Sequence, residues 1–292
     1  MPARSRQSSP ARGRRKADRT QCHFVSNTHW DREWKYSAQR IRQQLVEMMD
    51  MLLDIFATQP EYRHFHLDSQ TAPLLDYLEL RPERETELRR LVASGKLAVG
   101  PWFTLPDEFC VSGESLIRNL LLGHRIARRF GRVSKSGYSP FSWGQVSQMP
   151  QIYAGFGIDL AMFYRGVNTL VAPRSEFIWQ GADGTRMLAS RLAARPRYNA
   201  WYVLQRPAYW GVRLDRLNDF ALPWSSGHGL FRLADEAHAT LDYQLAHPRH
   251  AYDPAVIPAA TAQALREQDG DWTTPHRLWS AIKRISRGSG QD

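Results

Sequence analysis

The chain has 292 residues, 42% of them hydrophobic and 11% aromatic, which is enough for one substantial core in a single α/β domain. No run approaches the roughly 18 apolar residues of a membrane-spanning helix, so no membrane partner is expected. The net charge of +10 suggests nucleic acid, but residues 1–20 set seven basic side chains (Arg4, Arg6, Arg12, Arg14, Arg15, Lys16 and Arg19) against Asp18, leaving only +4 for the rest, and nucleic acid is not the expected partner.

Residues 1–21, rich in Ser, Arg, Pro and Gly, cannot bury enough surface to fold and are expected to form a disordered basic tail. The tail lacks the apolar stretch of a secretory signal and the amphipathic face of a transit peptide. A salt-sensitive binder of acidic partners is one reading it leaves open. Cys22 and Cys110 are too few for a disulfide framework and too far apart for a paired metal motif, so they read as reduced thiols of a cytoplasmic protein.

After the tail, Phe24-Val25 marks a first strand that runs into Thr28-His29-Trp30-Asp31-Arg32-Glu33-Trp34. Side chains two apart on an extended backbone point the same way, so His29 and Asp31 can grip one metal ion while Trp34 offers an indole face to a ligand. A lone His-x-Asp is more often a solvated or structural pair, and the rest of the chain has to raise its weight. Ile41, Leu45, Met48, Met49, Leu52, Leu53 and Phe56 recur at steps of three and four and predict a long amphipathic helix. Asp68 and Gln70, after Phe65-His66-Leu67, can reach a strand's mouth and bind hydroxyls, or Asp68 can simply stabilise a turn.

Leu88, Leu91 and Val92 with a stop at Gly95 predict a helix, and Leu97-Ala98-Val99 the next strand. Asp107 and Glu108 follow Pro106 as loop-capping residues or as the edge of a pocket. Ser112 is placed to cap a helix carrying Leu116, Ile117, Leu120, Leu121, Ile126 and Phe130 and ending at Gly131. Residues 137–139 and 159–164 read as strands around a helix begun near Gln148. Phe177–Gln180 and Met187–Ser190, joined across Gly181-Ala182-Asp183-Gly184, read as a hairpin. Repeated strand-helix-strand units imply an α/β fold with a mostly parallel sheet, open or barrel-like, and helices packed around it. Such folds place their chemistry at strand carboxyl ends, where His29 and Asp31 fall.

From about residue 195 regular patterning fades, while Trp201, Trp210, Trp224, Trp272 and Trp279 suggest packing back over the sheet or against a pocket. The domain is therefore drawn over residues 22–279, with a frayed end at 280–292. His64, His66, His247 and His250 read as surface histidines, and Ser225-Ser226-Gly227 shows no partnered base.

The ordered segments carry a resemblance. His29-Trp30-Asp31-Arg32-Glu33-Trp34, Leu67-Asp68-Ser69-Gln70-Thr71, Gly100-Pro101-Trp102-Phe103, Pro106-Asp107-Glu108, Ser112 to Leu120 and Gln148 to Ile152 with Gly155 to Ile158 resemble, in the same order, the family 38 glycoside hydrolases, zinc-dependent retaining α-mannosidases. The resemblance runs from about residue 23 to about residue 192. It implies that His29 and Asp31 are zinc ligands, that Trp34 lies under a mannose ring, and that Arg165 faces the site, where it would keep Asp31 ionised. The partner it implies is an α-mannoside or another carbohydrate; a homo-oligomer is left open.

The same resemblance exposes two departures. The family's nucleophile, an Asp that also binds zinc, belongs in a Gly-Tyr-x-Pro-Asp-x-Phe-Gly segment, which here reads Gly137-Tyr138-Ser139-Pro140-Phe141-Ser142-Trp143-Gly144. Phe141 can neither attack an anomeric carbon nor bind a metal, whereas a retaining glycosidase needs two carboxyl groups about 5 Å apart. The family's remaining ligand, a downstream His, has no counterpart before residue 292, which suggests a truncated or split coding sequence. The general acid is unplaced: the nearest loop, Gly227-His228-Gly229, lacks the carboxylate, and Asp235, Asp242 or Asp253 are candidates. A divergent active site would use Asp107 as its carboxylate, while a sugar-binding pseudoenzyme would keep the pocket without the reaction.

Overall fold

A computed structural model of the chain describes residues 20–33, 36–140, 142–163, 165–192 and 253–282, with Ala200, Leu204 and Ala208. In chain order its main elements are β1 (Gln21–Asn27), α1 (Ala38–Thr58), β2 (Phe65–His66), α2 (Ala72–Leu80), α3 (Glu85–Ser94), β3 (Leu97–Ala98), α4 (Gly113–Arg129), β4 (Ser136–Tyr138), α5 (Met149–Gly155), β5 (Leu160–Met162), β6 (Glu176–Gln180), β7 (Arg186–Ser190), α6 (Ile257–Glu267) and β8 (His276–Ile282). The strands form two four-stranded sheets, ordered β3-β2-β1-β8 and β4-β5-β7-β6. Every pairing is parallel except the expected hairpin of β6 with β7. The mostly parallel α/β architecture with surrounding helices is therefore present.

Local chemistry explains the helices. Ser37 caps α1 by accepting from the Arg40 amide, and the seven apolar residues at helical spacing are its buried face. Gly95 ends α3 in the left-handed conformation, its amide donating to the Val92 carbonyl. Ser112 caps α4 by accepting from the Ser115 amide. The α4 stripe differs from the expected one: Leu116, Leu120 and Ile126 are buried, but Ile117 and Leu121 are 38% and 56% exposed. Each lies about 100° around the helix from the buried residue before it, and Gly123, His124 and Ala127 complete the inner face instead. Gly123 marks a close approach, since a Cβ there would lie 2.2 Å from the Pro101 carbonyl oxygen.

Two main cores follow from the two sheets. Around the first, Leu45, Met48, Leu52, Leu53, Tyr77 and Leu88 lie in a cluster that also takes in Trp30. Around the second, Trp102, Leu116, Tyr153, Ala161, Phe163 and Ala189 do the same. His66 on β2 meets Tyr138 on β4 edge-to-face at 5.4 Å, joining the sheets near their carboxyl ends. Burial pushes the His66 pKa down to about 4, so the ring is neutral in that contact at ordinary pH.

Regular structure also appears where the sequence pattern had faded. α6 and β8 fall within 253–282, and β8 pairs with all of β1, from Gln21↔His276 to Asn27↔Ile282, running past residue 280 into the expected frayed end. Trp279 is fully buried in this strand, with Phe24 edge-on at 5.3 Å, which places that tryptophan against the sheet. His-Arg-Leu-Trp-Ser-Ala-Ile lacks a clean alternation because Arg277 is itself buried, stacked near Trp272 and paired to the Thr274 carbonyl. Among the described residues no helix is long and apolar enough to cross a membrane.

Candidate active site at the carboxyl end of the first sheet

β1 ends at Asn27, which like Thr28 after it is buried, and delivers the chain into the 28–33 turn beside the carboxyl end of β2. Trp30 is sunk in the first core, so the residues flanking it turn outward. Arg32 then ties the turn to α2 through two 2.8 Å bonds, Nε to Asp76 Oδ2 and a terminal nitrogen to Oδ1. This planar two-point grip fixes where the turn lies.

The result is a convergence of the two residues expected to act together. His29 Nε2 lies 2.9 Å from Asp31 Oδ1, and His29 Nδ1 lies 2.9 Å from Asp68 Oδ2. Both contacts are hydrogen-bond length, yet a neutral imidazole has only one N–H. With Nδ1–H donating to Asp68, the Nε2 lone pair faces a carboxylate oxygen, and that approach needs either a second proton or a cation between the two atoms. Tetrahedral zinc with ordinary N and O bond lengths would set those atoms roughly 3.3 Å apart, a few tenths of an ångström wider. The pair therefore fits one edge of a zinc site. Among the described residues no group of three or more His, Cys, Asp or Glu is arranged to hold a metal ion, so the other coordination positions are not furnished there.

Asp68 stands behind this pair. It is fully buried, and its Oδ2 also accepts from the Trp30 amide at 2.9 Å and from Gln70 Nε2 at 2.9 Å. Asp68 and its neighbour Ser69 have φ of 46° and 57°, a left-handed backbone that non-glycine residues seldom adopt. Such strain persists only where surrounding contacts over-determine it. Gln70 supplies them: its Nε2 also donates to the Trp30 carbonyl, and its Oε1 accepts from Thr104 Oγ1 and the Leu105 amide. Asn119 on α4 in turn accepts from the Phe103 and Thr104 amides and donates to the Thr104 carbonyl. A polar chain thus leads from α4 through Gln70 and Asp68 to His29. Both Asp68 and Gln70, expected to reach sugar hydroxyls or, for Asp68, to stabilise a turn, are buried; Gln70 and Asp68 Oδ2 bind the loop, while Asp68 Oδ1 is buried without a hydrogen-bond partner among the described residues.

The other expected residues have contacts of their own. Arg165 lays its guanidinium 4.0 Å over the ring of Trp143. Asp107 accepts from the Trp143 amide at 3.4 Å, a loop-capping geometry. Asp253 caps a short turn by accepting from the Ala255 amide. His64 meets the Gly95 carbonyl at the surface. Trp34, Phe141, Gly227-His228-Gly229, Asp235, Asp242, His247, His250, Trp201, Trp210, Trp224 and Ser225-Ser226 lie outside the described residues. Asn119 was not singled out from the sequence, whereas Glu108, expected as a loop-capping residue or the edge of a pocket, binds Ser139 and the Val146 amide of the 139–146 segment. Asparagine within a helix is a signal, since its side chain competes with the helix for backbone partners.

An α/β domain that gathers an imidazole and a carboxylate beyond the end of a central parallel strand has the architecture of an α/β enzyme. A profile of the "Glycosyl hydrolases family 38 N-terminal domain" matches residues 19–247, and the chain belongs to that family. It is 42% identical over 183 residues to a Halalkalibacterium halodurans protein described as "Putative mannosylglycerate hydrolase", covering 59% of this chain and 20% of that one. It is 30% identical over 176 residues to an alpha-mannosidase of Saccharomyces cerevisiae, covering 58% of this chain and 16% of that one. Among solved structures, an alpha-mannosidase from Enterococcus faecalis V583 superposes with a TM-score of 0.68 at 27% identity, over 90% of this chain and 25% of that one. The chain thus spans about a fifth or less of the length of these two relatives and a quarter of the solved neighbour.

Proposed function

We propose that this domain is the metal-binding and sugar-binding part of a zinc-dependent, retaining α-mannosidase-type glycoside hydrolase. The observation that carries the reading is the 2.9 Å convergence of His29 Nε2 and Asp31 Oδ1 while Asp68 holds the far imidazole nitrogen. In this reading His29 and Asp31 hold zinc. Bound there, zinc would act as a Lewis acid that orients and polarises sugar oxygens. Asp68 fixes the imidazole's tautomer and ring orientation, the role outer-shell carboxylates play behind metal-binding histidines. Trp34 serves as the sugar platform and Arg165 as a substrate-facing cation. The substrate is an α-mannoside; the relative described as a mannosylglycerate hydrolase makes small anionic mannosides a first class to try.

Phe141 supports a second reading, a domain that binds mannosides without cleaving them, because its side chain has no carboxylate to attack with. An assay of the full chain on an aryl α-mannoside, with and without added zinc, separates the two. Zinc-dependent release of the aryl group that disappears in His29→Ala supports the hydrolase. Zinc-dependent mannoside binding without release supports the binder, and neither binding nor release would overturn both.

A further inference from the structure

Glu108 has no part in the chemistry just described, yet it is almost wholly buried and touches both ends of the segment that carries position 141. Its Oε1 accepts from Ser139 Oγ at 3.0 Å and its Oε2 from the Val146 amide at 3.0 Å. Its own amide donates to Ser142 Oγ at 3.2 Å, and Ser142 Oγ donates onward to the Gly144 carbonyl. The neighbours add to the grip: Asp107 accepts from the Trp143 amide, and a Cβ on Gly144 would lie 2.1 Å from the Phe109 ring. Residues 107–109 therefore clasp the 139–146 segment at Ser139, Ser142, Trp143, Gly144 and Val146. Trp143, 74% exposed beneath the Arg165 guanidinium, is what that clasp presents to solvent.

We propose that Glu108 is a positioning residue, which holds the 139–146 segment and its Trp143–Arg165 pair in place while neutral and loosens them on ionising. The sugar-facing part of this proposal rests on the function proposed above; the clasp does not.

A neutral carboxyl suits the site. Its O–H can donate to Ser139 Oγ while its other oxygen accepts from the Val146 amide, so both contacts survive without a buried charge. Burial, with a smaller push from Asp107, raises the Glu108 pKa to about 7 against the two hydrogen bonds that favour the anion. From α5, the Tyr153 hydroxyl also faces it, and its own ionisation is held far off by burial and by Glu108. Among the described residues no cation is coupled to Glu108 strongly enough to compensate its charge. The group binds its proton more tightly folded than unfolded, so its contribution to stability is greatest below the ordinary glutamate range. That contribution falls as pH rises from about 4.5 to about 7 and stays low above.

The test uses the full chain and Glu108→Gln, whose amide reproduces the neutral acid's donor and acceptor. Hydrogen exchange of the 139–148 peptide, corrected for intrinsic rate, is followed from pH 5 to pH 8.5, and the affinity for methyl α-mannoside is measured over the same range. In the wild type, protection should fall about tenfold between pH 5 and pH 7 and level off above, with mannoside affinity falling alongside; in Glu108→Gln both should be flat and should match the low-pH wild type. An identical step in both proteins, or no step in the wild type, overturns the proposal. If no mannoside binds but the exchange step is present and abolished by the variant, the clasp stands and the sugar-binding reading fails. Glu108→Asp, one methylene short of its partners, should lose protection at every pH; full protection there would also contradict a clasp.

Discussion

The loops at the carboxyl ends of the two sheets are both held from behind by a buried carboxyl group, but they present different chemistry in front. At the first sheet, Asp68 supports a turn that offers an imidazole and a carboxylate 2.9 Å apart. At the second, Glu108 supports a segment whose exposed aromatic is Trp143 and whose sequence has Phe141 at the expected nucleophile position. The difference teaches that support and reaction are separable properties of a site. Hydrogen bonds that fix a loop's course depend on backbone and small polar groups, so they can stand whether or not the loop carries the reacting group.

Restoring the missing chemistry gives the largest expected effect. If the second loop is held as a reactive one would be, Phe141→Asp should raise zinc-dependent hydrolysis of an aryl α-mannoside by about 100-fold or more, as expected when a nucleophile is supplied to an otherwise assembled site. No gain in a variant that folds and still binds mannoside would show that the two loops do not share one site. On the first loop, Asp68→Asn should weaken zinc binding about 10–100-fold, the usual cost of losing an outer-shell partner. Titration calorimetry checks it, and unchanged affinity would reduce Asp68 to a turn residue. The smallest effect is expected at the tether: Arg32→Ala should lower stability by only about 1 kcal/mol, because the guanidinium is half exposed and its charge is screened. Urea denaturation measures this, and a loss several times larger would mean the turn's fold, and not just its placement, depends on Arg32.

Much of the first loop was legible in the sequence. His29-x-Asp31 after a strand carries its geometry in its spacing, and the amphipathic residues of α1 and the cap at Ser112 carry theirs. Burial of Asp68 and Gln70 was not legible, because an i, i+2 pair after a strand looks the same whether it faces ligand or protein. The left-handed backbone at Asp68 and Ser69, which turns the carboxylate inward, has no glycine to announce it. The exposed Ile117 and Leu121 misled the α4 stripe because an apolar residue beside the buried face is indistinguishable by type from one on it. β8 was hidden for a third reason: Arg277 breaks the alternation, and its partners, the Thr274 carbonyl and the Trp272 ring, lie just before the strand in a turn that no periodic pattern announces.

The central claim is that His29 and Asp31 meet to hold a cation, and titration of zinc into the metal-stripped full chain tests it most directly. The account predicts saturable uptake of one zinc ion per chain, accompanied by proton release and lost in both His29→Ala and Asp31→Ala. Saturating zinc with no heat and no proton release, or uptake undiminished in both variants, would contradict it.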